Sequence, residues 1–344
     1  MTCGAARSRF AALQDRRCHF FSAGSALTRD QLETRQTLIY FATVLAACVF
    51  GLFAGAGASV LEVLITPAIA VLMYAMFLQI PFLDLRASLA NRRFMVALLL
   101  ANFVLVPLLV WGLTRGLTGQ PALLAGALLV LLAPCIDYVV VFTHMGKGDA
   151  RLMLAATPVL LLLQLLLLPF YLALMLDDGQ PLNLAIGPFV QAFMAMIVVP
   201  LALAVWTSAL VGKWRGVSRW NDAWAWMPVP AMALVLFVVI ASQIRIVLHD
   251  LPQLLPVVPV YLGFALVAPA IGWATARLLG LPAQQKRAVM FSAATRNSLV
   301  VLPLALALPE QWRTLAAAAV ITQTLVELVC ELVYVRAIPA IART

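Results

Sequence analysis

The sequence of this chain repeats part of itself at an offset of 161–163 residues. A pattern of Phe, Pro, Trp, Thr and Gly within 103–119 returns in the same order within 264–280, and the four residues 67–70 resemble 230–233. Shared Pro, Trp and Gly positions arise by chance less readily than shared Leu positions. The repeat therefore predicts two copies of one structural unit, each within apolar sequence.

The apolar stretches are long enough to cross a bilayer, which takes about 20 residues. Hydrophobic residues make up 64% of the 344 residues and charged residues only 11%, too few to cover a soluble domain. The apolar residues do not alternate with polar ones as in a membrane β-barrel. We therefore predict an all-α membrane protein. Its ten predicted transmembrane helices cover residues 37–55, 58–80, 94–117, 121–145, 152–176, 186–211, 226–248, 256–279, 287–308 and 313–337.

Positive charges lie mainly on one side of this topology. With the N-terminus inside, 19 Lys and Arg residues fall in inner segments, and only Arg115, Arg245 and Arg313 fall in outer ones. By the positive-inside rule both termini are expected in the cytoplasm, in a multi-pass protein of the inner (plasma) membrane. The same bias accounts for the net charge of +9 without nucleic-acid binding. The five cysteines show neither metal-ligand spacing nor a disulfide framework.

Five helices per half is an odd number, so the second copy enters the membrane from the opposite side. The predicted fold is therefore two inverted five-helix repeats, 37–176 and 186–338, related by a pseudo-two-fold axis in the membrane plane. Residues 1–36 are expected to form a cytosolic N-terminal extension. Duplicated membrane units of this kind are typical of secondary transporters, with a substrate site where the copies meet.

Polar residues interrupt the fourth and ninth predicted helices at equivalent places, since adding the repeat offset to Cys135 reaches Asn297. Pro134 removes a backbone donor, with a simple kink as the alternative interpretation. Thr295 and Ser298 can satisfy backbone groups freed in the partner helix. We predict that both helices are broken and cross near the membrane midplane. The predicted substrate-binding residues are Cys135, Arg296, Asn297 and Ser298.

Other polar residues in apolar sequence are candidates for coupling. A lone charge at the bilayer centre is costly, so Asp137 and Arg296 are expected to pair, either as a structural clasp or in gating and proton coupling. Glu327 is predicted to carry a proton, whereas Glu331 is expected to be solvated near the cytoplasmic end. Secondary candidates are Gln164 (the repeat mate of Glu327), Cys330, Gln79 and Gln243, with helix packing as the alternative for the last two.

Cys135 follows a proline and precedes an acid by two positions, at the inferred crossing. A buried cysteine is most often a small apolar residue, which is the structural alternative. A thiol in this position can instead bind a soft centre such as trivalent arsenic or antimony.

At these residues the chain resembles the arsenite efflux permeases of the bile acid/sodium symporter superfamily. Ala133-Pro134-Cys135, followed by Lys147-Gly148-Asp149, is similar to the motif with that family's essential cysteine, and Glu327 lies where the family places a functional acid. The resemblance implies crossed broken helices, a core domain, a smaller panel domain and proton-driven export of trivalent metalloid. The chain departs from the family at Thr295-Arg296-Asn297-Ser298. Sodium-coupled members place an acidic sodium ligand in that helix, where this chain has Arg296.

The favoured hypothesis is a secondary transporter that exports arsenite or antimonite by proton antiport, with neither catalytic residues nor a cofactor or resident metal. Its partners would be a small inorganic or anionic substrate, protons and membrane lipid. The alternative is a transporter of a small organic anion, with Arg296 as counter-ion. An intramembrane enzyme is disfavoured, because His19, His144 and His249 form no His-Glu-x-x-His set.

Overall fold

The computed structural model describes residues 29–54, 60–79, 91–136, 138–176, 194, 198–249 and 251–343. Throughout these residues the chain is helical apart from short connections and one isolated β-bridge, which confirms the all-α prediction for them. The helices are α1 (Arg29–Phe53), α2 (Glu62–Gln79), α3 (Arg92–Leu117), α4 (Pro121–Leu131), α5 (Val139–Met145), α6 (Ala150–Leu176), α7 (Val199–Leu210), α8 (Arg215–Trp224), α9 (Pro228–His249), α10 (Leu251–Leu254), α11 (Val257–Leu278), α12 (Ala283–Ala294), α13 (Ser298–Leu306) and α14 (Glu310–Ile341).

Five of these helices are long and apolar enough to cross a membrane, namely α3, α6, α9, α11 and α14. Shorter apolar helices lie within α1, α2, α4 and α7. The outward face of α6 carries Leu166, Phe170 and Leu174 at four-residue spacing, each more than 60% exposed. A bare leucine face of this kind is suited to lipid. The helices are those of a multi-pass membrane protein, while the count of ten crossings stays a prediction.

Two of the predicted spans are interrupted. The predicted helix 121–145 is α4 followed by α5, and the predicted helix 287–308 is α12 followed by α13. Pro134 lies in the first interruption, where it cannot supply a helical N–H. The second interruption contains no proline and begins at Thr295, whose backbone is extended (φ −94°, ψ 129°).

The helices contact one another in two groups. Helix α9 packs on α1 and α2, and α2 packs on α7. In the second group α4 and α13 pack on α14, and α12 packs on α11. Each group draws helices from both predicted halves. Residues 1–28 of the predicted N-terminal extension and the linker 177–181 lie outside the described residues, and α1 begins at Arg29.

Two prolines inside membrane helices are matched by two tyrosines. Pro107 cannot donate to the carbonyl of Phe103, four residues earlier, and the hydroxyl of Tyr171 donates to that carbonyl instead (2.5 Å). Pro269 likewise leaves the carbonyl of Ala265 without a helical donor, and a tyrosine hydroxyl donates there too. That tyrosine is Tyr334, 163 residues after Tyr171, while the prolines are 162 residues apart. The two predicted halves thus share this arrangement at the repeat offset.

Candidate functional site

The breaks in the two interrupted helices lie side by side. Two main-chain hydrogen bonds join them, one from Cys135 N–H to the carbonyl of Thr295 (3.1 Å) and one from Asn297 N–H to the carbonyl of Ala133 (2.8 Å). These bonds replace the helical hydrogen-bond partners that each backbone segment loses where its helix ends. Residues predicted to meet at a crossing are therefore neighbours, joined through backbone atoms.

The centre of this contact is an isolated antiparallel bridge between Pro134 and Arg296. Their numbers differ by 162, the same offset as in the sequence repeat. Reciprocal pairing of equivalent residues in opposite directions is what a two-fold axis between two copies produces. The depth of the bridge in the membrane stays a prediction.

The side chain of Arg296 is fully buried and surrounded by oxygen atoms. Its Nη2 lies 2.8 Å from Oδ1 of Asn102, and 2.8 Å and 2.5 Å from the carbonyl oxygens of Ser292 and Ala293. Its Nη1 is 3.4 Å from the carbonyl oxygen of Leu131. The one ion pair among the described residues joins Arg313 and Glu310. No carboxylate oxygen of these residues therefore lies within 4 Å of the Arg296 guanidinium. Carbonyl and amide oxygens therefore solvate the charge.

Asn102 positions Arg296 from α3. Its Nδ2 donates to Oγ of Ser292 (3.0 Å) and to the carbonyl of Leu98 (3.0 Å), so its Oδ1 is turned towards the guanidinium. Asn102 lies in a π-helical turn, Ala101–Leu105, within α3. Such turns often occur at functional sites. Sequence reasoning missed Asn102 and Ser292, since an apolar stretch gives no sign of where its helix widens.

Glu327 reaches the crossing from α14 and is almost fully buried. Its Oε2 accepts from the backbone N–H of Arg296 (2.9 Å) and from Nε2 of Gln323 (2.5 Å). Its Oε1 lies 2.7 Å from the hydroxyl of Tyr138, and that hydroxyl lies 2.9 Å from the carbonyl oxygen of Arg296. One carboxyl group thus contacts the second break directly and the first break through Tyr138. Tyr138 is an aromatic residue in apolar sequence, and nothing in that pattern indicates its contact with Glu327.

The expectation that Glu331 is solvated is wrong, because its side chain is fully buried. Its Oε1 lies 2.6 Å from the hydroxyl of Thr295, which also lies 2.7 Å from the carbonyl of Phe291. The error arises because the last helix was predicted to end too early. Helix α14 continues to Ile341, beyond the predicted end at 337, so Glu331 lies well inside a 32-residue helix.

Cys135 is fully buried beside the bridge, with its backbone held by Thr295. Cys48 and Cys330 are partly buried, and these three cysteines form no disulfide with one another. Among the described residues, no group of three or more His, Cys, Asp or Glu side chains is arranged to hold a metal ion.

Several buried polar atoms around the crossing have no hydrogen-bond partner among the described residues. They are Arg296 Nε, Asn297 Nδ2, Ser298 Oγ, Gln323 Oε1 and Glu331 Oε2. Buried polar groups are usually paired, so a cluster of unpaired ones indicates a place where water or a ligand binds. Ser298 and Thr324 also line a cavity of 10 Å³ between α9, α13 and α14, about the size that holds one water molecule.

The remaining predicted residues are spread more widely. Asp137 lies outside the described residues, so its expected pairing with Arg296 stays a prediction. Gln164 is buried on α6 with both amide atoms unpaired among the described residues. Gln243 is buried on α9, whereas Gln79 is exposed at the C-terminal end of α2.

The chain matches the model of a known protein family. The model of a family described as the Sodium Bile acid symporter family matches residues 66–250, more than half of the chain. The matched segment runs from α2 to the end of α9 and includes Pro134 and Cys135. No curated protein matches the chain.

Proposed function

This chain belongs to the sodium bile acid symporter family and is a multi-pass membrane transporter, and we propose that it exports trivalent metalloid, as arsenite or antimonite, in exchange for protons. The observation that carries the proposal is the paired break. Two interrupted helices meet at repeat-equivalent residues, with a buried thiol, a buried acid and several unpaired polar atoms around them. An inverted repeat with its site at such a meeting point suits alternating access.

The thiol of Cys135 supports a metalloid substrate. A thiolate is a soft ligand and favours soft centres such as trivalent arsenic over hard oxyanions. The main-chain bond from Cys135 to Thr295 fixes the backbone of this residue at the break. The thiol is therefore held at the contact between the two halves, where a rocking motion would expose it first to one side and then to the other.

We assign proton coupling to Glu327 from the hydrogen-bond donors around its two carboxylate oxygens. Its Oε2 already accepts two N–H groups, so a bound proton occupies Oε1, next to Tyr138. In that state Glu327 donates to the Tyr138 oxygen, and the single hydroxyl hydrogen of Tyr138 goes to the carbonyl of Arg296. When Glu327 is ionised, the same hydrogen goes to Oε1, and the carbonyl loses its donor. Protonation of Glu327 therefore changes the hydrogen bonding of the second break, which links proton binding to the geometry of the site.

The alternative substrate, a small organic anion paired with Arg296, has less support. A counter-ion needs N–H groups that point at the ligand. Both Nη atoms of Arg296 are directed at protein oxygens, and Nε is the one nitrogen of this guanidinium without a partner among the described residues. The guanidinium charge is thus already committed to Asn102 and to main-chain carbonyls.

The experiment is arsenite and antimonite efflux from preloaded cells of a metalloid-sensitive host. We expect the wild type and Cys330→Ser, a matched control on α14, to export, and Cys135→Ser to lose export at equal membrane abundance. Export by Cys135→Ser at the wild-type rate would overturn the metalloid assignment. Glu327→Gln tests the coupling separately. It is expected to stop export driven by an imposed pH gradient, and full pH-driven export by that variant would remove Glu327 from the mechanism.

A further inference from the structure

The segment between α7 and α9 contains a short helix with unusual surroundings. Helix α8 has no buried residue, although three of its ten residues are Trp or Val. Three of the tryptophans in and beside it are exposed, Trp214 by 68%, Trp220 by 51% and Trp226 by 44%. Exposed tryptophans in such number are unfavourable in water and favoured at the interface between lipid and water.

The residues of α8 sort into two faces. Val217, Trp220 and Trp224 follow one another at spacings of three and four and so share one face of the helix. Arg215 and Arg219 lie four apart on the other face. Together with Lys213, which precedes the helix, three exposed bases accompany one exposed acid, Asp222.

The apolar face of α8 is attached to membrane helices. Nε1 of Trp220 donates to the hydroxyl of Tyr74 on α2 (3.0 Å), and the Trp224 ring packs edge-on against the Tyr74 ring at 4.8 Å between centroids. The same hydroxyl lies 3.0 Å from Oγ1 of Thr207 on α7. The helix is therefore fixed across the ends of two apolar helices and cannot turn its tryptophans elsewhere without breaking these contacts.

The chain on either side keeps α8 close to the bilayer. Four residues separate it from the end of α7 at Leu210, and three separate it from the start of α9 at Pro228. A segment of four residues spans at most about 14 Å when fully extended. The short connections therefore keep α8 next to the ends of the apolar helices.

We propose that α8 is an interfacial helix that binds the phosphate groups of anionic phospholipids through Lys213, Arg215 and Arg219, with Trp214 and Trp220 set between the headgroups. A helix with tryptophan on one face and bases on the other is the pattern that lies in the plane of a membrane surface. The bases complement the negative charge of anionic lipid, and the tryptophans occupy the boundary below it. In this position α8 ties α2 and α7 to one leaflet. Neither the bases nor the tryptophans belong to the crossing, so the proposal is independent of the transported substrate.

The first test titrates phosphatidylglycerol, and in parallel phosphatidylcholine, into the purified full-length protein in detergent and follows the thermal midpoint. We expect phosphatidylglycerol to stabilise the wild type more than phosphatidylcholine does. In a Lys213→Gln/Arg215→Gln/Arg219→Gln variant, the phosphatidylglycerol concentration for half-maximal stabilisation should rise about five-fold per base removed, roughly 100-fold in all. The control is Arg92→Gln/Arg93→Gln, two exposed bases at the start of α3. The proposal would be overturned if the phosphatidylglycerol concentration for half-maximal stabilisation were unchanged in the triple variant. It would also be overturned if that concentration rose equally in the control.

The second test locates the tryptophans in vesicles of phosphatidylglycerol brominated near the headgroup. The fluorescence lost between the wild type and Trp214→Phe/Trp220→Phe reports these two side chains. We expect that component to be quenched by the brominated lipid and protected from aqueous iodide. Quenching by iodide without quenching by the lipid would place the helix in water and reject the interfacial position.

Discussion

The hydroxyl oxygen of Tyr138 lies 2.7 Å from Oε1 of Glu327, so a residue at the break of the first half contacts an acid on the last helix. This contact makes Tyr138→Phe informative, because the variant keeps the edge-on packing on Phe142 and removes the hydroxyl alone. We expect Tyr138→Phe to reach the membrane and to export metalloid with a weakened response to an imposed pH gradient. The measurement is the initial efflux rate as a function of that gradient.

Tyr261→Phe is the matched control for this substitution. Tyr261 is also fully buried and donates to a main-chain carbonyl, that of Ala319 (2.9 Å), but it forms no hydrogen bond with Glu327. Loss of that bond should lower the free energy of unfolding by about 1 kcal/mol and leave the pH response unchanged. Equal flattening of the pH response in both variants would mean that Tyr138 has no special part in coupling.

Glu331→Gln should retain most of the export that Glu327→Gln loses. Among the described residues Glu331 has one hydrogen-bond partner, Thr295 at Oε1, and its Oε2 has none. A buried carboxyl in such surroundings is held at lower cost as a neutral acid, and glutamine is similar in charge and shape. The comparison is made by efflux at equal membrane abundance. A Glu331→Gln variant as inactive as Glu327→Gln would assign both acids to the proton pathway.

Replacement of Arg296 should destabilise the protein more than that of any exposed arginine. Arg296→Gln leaves the oxygens of Asn102, Ser292 and Ala293 without their charged donor, which costs about 2–4 kcal/mol. Arg313→Gln is the control. Its pairing with Glu310, at 3.7 Å on the surface, is worth less than about 1 kcal/mol. Thermal or denaturant unfolding in detergent measures both, and similar midpoints would contradict the structural role of Arg296.

Export should proceed in sodium-free medium at the rate seen with sodium. The oxygens that converge on the Arg296 guanidinium already solvate one fixed cation, and its uncompensated charge would repel a sodium ion beside it. The test replaces sodium by choline at constant ionic strength and pH during efflux. A strict sodium requirement would show that a cation binds away from Arg296 and would refute proton exchange as the sole driving force.

In two membrane helices a tyrosine hydroxyl donates to the carbonyl that a proline leaves without a helical donor. A double-mutant cycle measures how far each of these hydrogen bonds compensates for its proline. Tyr171→Phe removes the donor to the Phe103 carbonyl and should cost about 1 kcal/mol of unfolding free energy. In a Pro107→Ala background the alanine N–H can bond that carbonyl, so the cost of Tyr171→Phe should shrink. The equivalent pair, Tyr334 and Pro269, should behave alike. Strict additivity in both cycles would mean that neither tyrosine compensates for its proline.

Part of this architecture was predictable from the sequence. The apolar stretches predicted the helices, and Pro134 predicted the first break because its ring nitrogen has no hydrogen to donate within a helix. A single Arg in apolar sequence pointed to Arg296 as a special site, but its partners did not follow. Asn102 is 194 residues away along the chain and faces Arg296 through a local widening of α3. Such contacts depend on tertiary packing, which periodicity does not encode.

The bridge between Pro134 and Arg296 is made of main-chain N–H and C=O groups at positions 133, 135, 295 and 297, which any residue can supply except that proline has no N–H. Neither of its two hydrogen bonds involves a side-chain atom. Mutation can therefore exchange the thiol or the hydroxyls while the backbone contact that carries them is kept. A site built on a backbone contact of this kind can acquire a different substrate through a few side-chain substitutions, while the fold stays the same.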